Sequence, residues 1–342
     1  MAVTSRMRNF RLLYVCTGNT SRSPFLESRT RALAGAAGDE VARRVLVTSA
    51  LPDEGKSFCS ANLALSIAAE RDNDAFCRQG FGTLLARLAD GVPVQLSTPV
   101  TRINTQTRPG ITLETASKGA LQARAVIVTV STNVLAEGKL IPDLPKRQLD
   151  ALSRLRLGHY ERIALEIPGN PFGLARDDLV FEKTDGRRTA ALLGNVGGSS
   201  LAYVDVAGTF GRDLAAKGQR EMTAFAIEWL DKLFGADVKK AVKRTHATQW
   251  AFAPLAQGSF SAASVGAQPM RRILMTEPLR DRVFYAGEAA HETLWGTVGG
   301  AWESGERAAA TMLRTVFNIG PKPVEAAPPP QQQKKRPRRP RL

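Results

Sequence analysis

Residues 283–309, VFYAGEAAHETLWGTVGGAWESGERAA, constrain this chain more than any other stretch. The apolar run 283–286 reads as a short buried strand, and it ends in Gly287-Glu288. After a brief loop, Thr297-Val298-Gly299-Gly300 opens a helix. Ala301, Gly305, Ala308, Met312 and Val316 would share its buried face. Strand, glycine turn and helix start, in that order, are what a nucleotide site needs. Glycine permits close backbone approach, a carboxylate accepts bonds from ribose or ribityl hydroxyls, and the helix-terminal amides face negative charge.

The rest of the chain supplies a scaffold for such a site. With 342 residues, 43% of them hydrophobic, it can bury one large core or two ordinary ones. From Gly80 to Phe317 one character persists. A helix is expected near 81–88, and strands near 94–103, 111–115, 124–130, 163–167, 190–193 and 201–206. Residues 219–234 give the clearest helix, because Met222, Phe225, Ala226, Trp229, Leu230 and Leu233 recur at three and four.

Taken together, these motifs resemble the C-terminal region of flavin-containing amine oxidases, over about residues 73–317. The AGE, TVGG and SGERAA strings, in order, are similar to that family's C-terminal FAD motif, with Gly287, Glu288, Gly296, Thr297 and Val298 as the cofactor-binding residues it implies. TPVTRI (98–103) resembles the strand in which a valine, here Val100, lends its backbone to adenine. The stretch 123–135 resembles the strand and loop passing near the flavin. Trp250-Ala-Phe-Ala-Pro followed by Gly258-Ser-Phe-Ser resembles the segment placing an aromatic beside the substrate, and Trp295 is a second aromatic implied there. The family's water-holding lysine corresponds to Arg162 in GHYERIALEI, and a planar guanidinium is not an ammonium. No GxGxxG, the family's pyrophosphate unit, occurs.

The N-terminal stretch carries two other patterns. Cys16 and Arg22 in CTGNTSRSP have the spacing of a phosphate cradle, and residues 11–28 resemble low-molecular-weight protein tyrosine phosphatases, without that family's Asp-Pro acid. Residues 45–70 read as strand, loop and helix around EGKS, resembling the P-loop of bacterial tyrosine autokinases and ParA-like ATPases, with Lys56 and Ser57 as the implied phosphate and magnesium contacts. Ala50 and Asp53 depart from that pattern.

Charge and cysteine usage bound the remainder. Of the net charge of +15, six lie in the last nine residues and five more in the first 44, so the stretch between is nearly balanced. The Pro/Gln-rich basic tail reads as a solvated extension, which argues against specific nucleic-acid recognition. Cys16, Cys59 and Cys77 show neither disulfide-framework nor metal-ligand spacing, so reduced thiols, a cytoplasmic setting and no metal site are expected. No run reaches the roughly 18 apolar residues of a membrane helix.

The resulting expectation is an α/β (α+β) protein, a partial FAD-binding Rossmann-like domain with a mixed-sheet substrate domain. Residues 1–72 form a composite segment, 73–317 the flavoprotein-like region and 318–342 a tail. Its implied function is FAD-dependent oxidation of a small-molecule amine by a truncated or fused family member. Two alternatives stay open: a non-catalytic chimera, and a phosphate- or nucleotide-binding module working through Cys16/Arg22 or Lys56/Ser57.

Overall fold

The computed structural model describes Arg11–Val15, Val45–Ser49 and residues 80–319, apart from 91, 93, 108–109, 117–118, 185 and 236. Cys16, Arg22, Lys56 and Ser57 lie outside the described residues.

Two sheets organise the fold. The first holds β1 (Arg11–Val15), β2 (Val45–Ser49), β3 (Val94–Leu96), β4 (Val100–Asn104), β5 (Ile111–Thr115), β6 (Gly119–Val128) and, from far along the chain, β12 (Val283–Tyr285). Its order is β3-β2-β1-β6-β5-β4, with β12 on β6. Strands β1, β2, β3, β6 and β12 pair in parallel, while β4, β5 and β6 form an antiparallel meander. One edge of β6 serves two neighbours along its length, residues 119–123 pairing with β5 and 126–128 with β12, while β1 pairs along the other edge. Both faces of its end are covered, as the continuous apolar run AVIV requires.

Period-two alternation sorts those residues. Val126, Val128, Val283 and Tyr285 face a core that includes Ile103, Ile111, Leu113, Ile141, Leu152 and Leu155. Ala125, Ile127, Phe284 and Ala286 face Ala308, Ala309, Met312 and Leu313. Those last four belong to the C-terminal helix Val298–Phe317, which buries Ala301, Gly305, Ala308 and Met312 as its spacing predicts, with Val316 partly buried.

The run 94–103 is two strands rather than one. Ser97 takes φ 51, and Pro99 fixes its own φ and lacks an N–H for a ladder. The three intervening residues reach about 14 Å at full extension. The sheet therefore curls its two edge strands toward each other.

The second sheet is antiparallel in every pairing, in the order β11-β7-β10-β9-β8. Its strands are β7 (Tyr160–Glu166), β8 (Asp178–Phe181), β9 (Ala191–Gly194), β10 (Leu201–Ala207) and β11 (Arg244–Ala247). The helices in chain order are α1 (Phe81–Leu88), α2 (Thr132–Ala136), α3 (Lys146–Arg154), α4 (Gly208–Ala215), α5 (Gln219–Phe234), α6 (Val238–Ala241), α7 (Arg271–Thr276) and α8 (Val298–Phe317). Ile163, Leu165, Leu192, Val204 and Val206 turn one face of the second sheet onto α4 and α5. Met222, Phe225, Ala226, Trp229 and Leu230 of α5 answer them, with Leu233 partly buried at the stripe's end. Each such fully buried large side chain contributes about 1.5–3 kcal/mol relative to exposure. The outer face stays half-open, with Leu179 and Phe181 on edge strand β8 exposed. No helix among the described residues is long and apolar enough to cross a membrane.

Candidate functional site

A cleft opens at the carboxyl ends of β6 and β12, where open α/β sheets receive ligands. The space within it that the centres of a small molecule's atoms could occupy is about 50 Å³, and the cleft opens to solvent. Residues 129–132, following β6, and 286–289, following β12, form one side. Leu157, Trp250, Ala256, Gly258 and Ser259 form the other.

Gly287 sets the floor. Its φ of 129 is the left-handed range that side chains rarely adopt, and its N–H donates to Ser304 Oγ on α8 at 2.8 Å. Among the described residues nothing lies within 4 Å of where a β-carbon would sit, so none of them covers the backbone on that side. A ligand ring can approach it closely.

Glu288 is 4% exposed, and its carboxylate accepts three hydrogen bonds. Ser261 N–H donates to Oε1 at 2.9 Å, while Ser261 Oγ and Gly296 N–H donate to Oε2, each at 2.7 Å. Ser261 Oγ in turn accepts from Arg271 Nη1 at 2.7 Å. Arg271 is fully buried; that burial lowers its pKa, and the charge on Glu288 opposes the shift. Its guanidinium also donates to the Ala289 carbonyl and lies 4.9 Å from the ring centre of Trp295.

Thr297 begins α8 as its N-cap. Its hydroxyl accepts from Gly300 N–H at 2.9 Å and donates to the Leu294 carbonyl at 2.7 Å. The amides of Val298 and Gly299 have no partner inside the helix, and they carry its positive end. Gly300 is required by contact: a β-carbon there would meet Leu294 O at 1.9 Å. The structure thus brings Glu288 and Thr297 together, one hydrogen bond apart through Gly296. Gly287 and Glu288 line the cleft; Gly296, Thr297 and Val298 lie outside its lining, joined to it through Glu288.

Trp250 is 8% exposed and forms part of the opposite wall. Trp295 is 39% exposed, stacks on Arg271 and lies outside the lining. Val100 opens β4 at the far end of the first sheet, its side chain buried in the core and its backbone opposite Thr115.

Arg162 sits on the open face of the second sheet in a bidentate pair with Asp205, Nε to Oδ1 at 2.7 Å and Nη2 to Oδ2 at 2.6 Å. Both side chains are about 10% exposed, at 11% and 10%. Burial opposes the charge on Arg162, but its bonds to Asp205 and the charge there outweigh burial and raise its pKa. Burial, then the Asp205 charge, raise the Tyr160 phenol, which donates to Asp205 Oδ2 at 2.5 Å. Tyr160 packs on Phe260 at 5.8 Å, and a β-carbon added at Gly296 would lie 3.7 Å from the Phe260 ring.

Sequence reasoning passed over Glu161, Ser261 and Arg271. Glu161 is fully buried and accepts from Thr248 Oγ1 (2.6 Å), Trp250 N–H (3.0 Å) and Ala251 N–H (2.9 Å). A signal was present, since Glu161 falls in phase with the inward residues Ile163 and Leu165 of β7. Arg271 had none: a cation on a six-residue helix reads as surface until the loop beneath it is known.

The family model of the flavin containing amine oxidoreductases matches residues 31–313, well over half of the chain, and the chain belongs to that family. The match begins ahead of residue 73 and takes in β2, the strand of the EGKS unit. Among curated proteins, the chain is 29% identical over 250 residues to lysine-specific histone demethylase 1 homolog 1 of Oryza sativa subsp. japonica, covering 70% of this chain and 29% of that protein. It is 24% identical over 281 residues to lysine-specific histone demethylase 2 of Homo sapiens, with 74% and 33% covered. It is 26% identical over 313 residues to probable polyamine oxidase 5 of Arabidopsis thaliana, with 73% and 58% covered. The chain thus spans a third or less of these demethylases and under two thirds of the oxidase.

Proposed function

We propose that this chain is an FAD-dependent amine oxidoreductase, its cofactor held in the cleft at the ends of β6 and β12 and its substrate a small-molecule amine. One observation carries the reading: a glycine floor and a buried carboxylate meet at the carboxyl ends of parallel strands, with the start of a 20-residue helix joined to them through Glu288. The residues fit the group. Among the described residues nothing obstructs the Gly287 backbone from a flat ring, and Glu288 Oε1, with one hydrogen bond there, has an acceptor site for a ribityl hydroxyl. The first amides of α8 favour negative charge on whatever they face.

Bound FAD would take a hydride from the carbon bearing a primary or secondary amine and pass the electrons to dioxygen, leaving an imine and peroxide. The chain's own residues do the rest. Glu288 and Thr297 fix the loop that presents Gly296 and the helix start. The wall carrying Trp250 and Leu157 narrows the cleft and excludes water, which strengthens electrostatic effects inside it. Arg162 is proposed at the position of the water-holding lysine through the family resemblance alone; its Nε and Nη2 are on Asp205 and it lies outside the cleft lining. Val100 and Trp295 are proposed as adenine and substrate contacts through the family resemblance. The polyamine oxidase among the relatives supports an amine substrate.

Residues 73–317 are proposed as the flavin region, with 1–72 and 318–342 flanking it and strands β1 and β2 completing its sheet. A cytoplasmic setting is proposed from the three cysteines.

The test is direct. Purified protein is mixed with FAD, desalted and scanned for flavin absorbance at about 450 nm. Retained yellow cofactor is expected, with marked loss in Gly287→Val. A colourless protein after desalting overturns the reading.

A further inference from the structure

Glu161 has no exposed surface, no part in the cleft lining and a place among the apolar residues of β7. Taking a carboxylate out of water is costly unless donors replace its hydration. Three do, Thr248 Oγ1, Trp250 N–H and Ala251 N–H, and all belong to one turn. That turn carries Trp250, a residue of the cleft wall. It is tied to β7 again at Arg162, whose N–H donates to Thr248 Oγ1 and whose carbonyl accepts from Thr248 N–H, both at 2.9 Å. The Trp250 carbonyl accepts from Gly258 N–H at 2.9 Å, so the turn also anchors the glycine of the same wall. An apolar residue in place of Glu161 would fill the core equally well. It would leave these three donors, two of them main-chain amides, without an acceptor.

We propose that Glu161 is a positioning residue of the cleft: it fixes the 248–251 turn, and through it the placement of the Trp250 indole and the width left for the reacting amine. The inference rests on the proposed function only for what the indole faces.

The experiment uses the full chain with Glu161→Gln, and Trp250→Phe as the reporter control. Glutamine keeps one acceptor and turns a donor toward an amide that also donates. The expected result is a red-shifted tryptophan emission and a rise of about twofold in the acrylamide quenching constant as the turn loosens. Both changes vanish when Glu161→Gln is made in the Trp250→Phe background. In flavin-loaded protein, KM for benzylamine rises more than kcat falls. Thr248→Val removes one donor and leaves the carboxylate in place; a smaller shift confined to Trp250 is expected, and this variant decides the matter if Glu161→Gln does not fold. Unchanged quenching in the folded variants overturns the proposal whether or not flavin binds, as does a shift that persists without Trp250. A shift confined to Trp250 in a protein that retains no FAD supports the positioning role and overturns the amine oxidoreductase reading instead.

Discussion

Replacing Gly300 with alanine separates two opposed effects at the start of α8. In a helix free of neighbours, alanine is favoured over glycine by about 1 kcal/mol, because glycine loses more backbone freedom on folding. Here a β-carbon would stand 1.9 Å from Leu294 O and 2.7 Å from Leu294 C. Those are main-chain atoms, and they cannot swing aside. The Leu294 carbonyl accepts from Thr297 Oγ1 and its N–H donates to His291 Nδ1, so the loop is held at both ends of that residue. Overpacking of this kind costs about 1–3 kcal/mol, and an unyielding backbone puts it at the upper end. The net is a loss of about 2 kcal/mol, or a fall in Tm of about 4–8 °C for a domain of this size. Urea denaturation with an unchanged m-value measures it, and flavin retention after desalting should fall in parallel, since the displaced loop carries Gly296. A Gly300→Ala protein as stable as the parent, or more so, refutes the packing of this loop against α8.

Two further outcomes are expected. Arg162→Met or Asp205→Asn alone should each cost about 3 kcal/mol by leaving a desolvated charge or an unmet partner, while the two together should cost less than the sum; additive losses in urea melts would contradict a coupled pair. Burial, with Arg212 adding to it, holds the His159 imidazole below its ordinary value, and its buried Nδ1 has no hydrogen-bond partner among the described residues. The unfolded chain therefore binds that proton more readily than the folded one. Stability is complete above the unfolded pKa and is lost as pH falls through about 6.5 toward the lower folded value. His159→Gln should flatten the change in urea midpoint between about pH 8 and about pH 5.5, and an unaltered slope in that variant argues against the buried imidazole.

The helices legible in the sequence are those whose apolar residues recur with the backbone's own period. Met222 to Leu230 on α5 and Ala301 to Met312 on α8 fall on buried faces because a 3.6-residue repeat leaves one side for the core. The Gly287-Glu288 turn was legible for a similar reason: glycine beside a carboxylate, between an apolar strand and a small-residue helix, has few other uses. Position along the chain says nothing of which strand will be a neighbour. Strands β6 and β12 are more than 150 residues apart, and their parallel pairing is what makes the cleft.

Sequence by itself determined the α/β class, the strand-turn-helix around Glu288 and the family resemblance, since each depends on residues close together in the chain. Only the tertiary structure decided that Glu288 is held by Ser261 and Gly296, that Arg162 is bound to Asp205, and that Glu161 supports Trp250. The physical reason is that a charged side chain's role depends on which donors reach it once water is excluded. At these sites most of those donors come from segments distant in the chain.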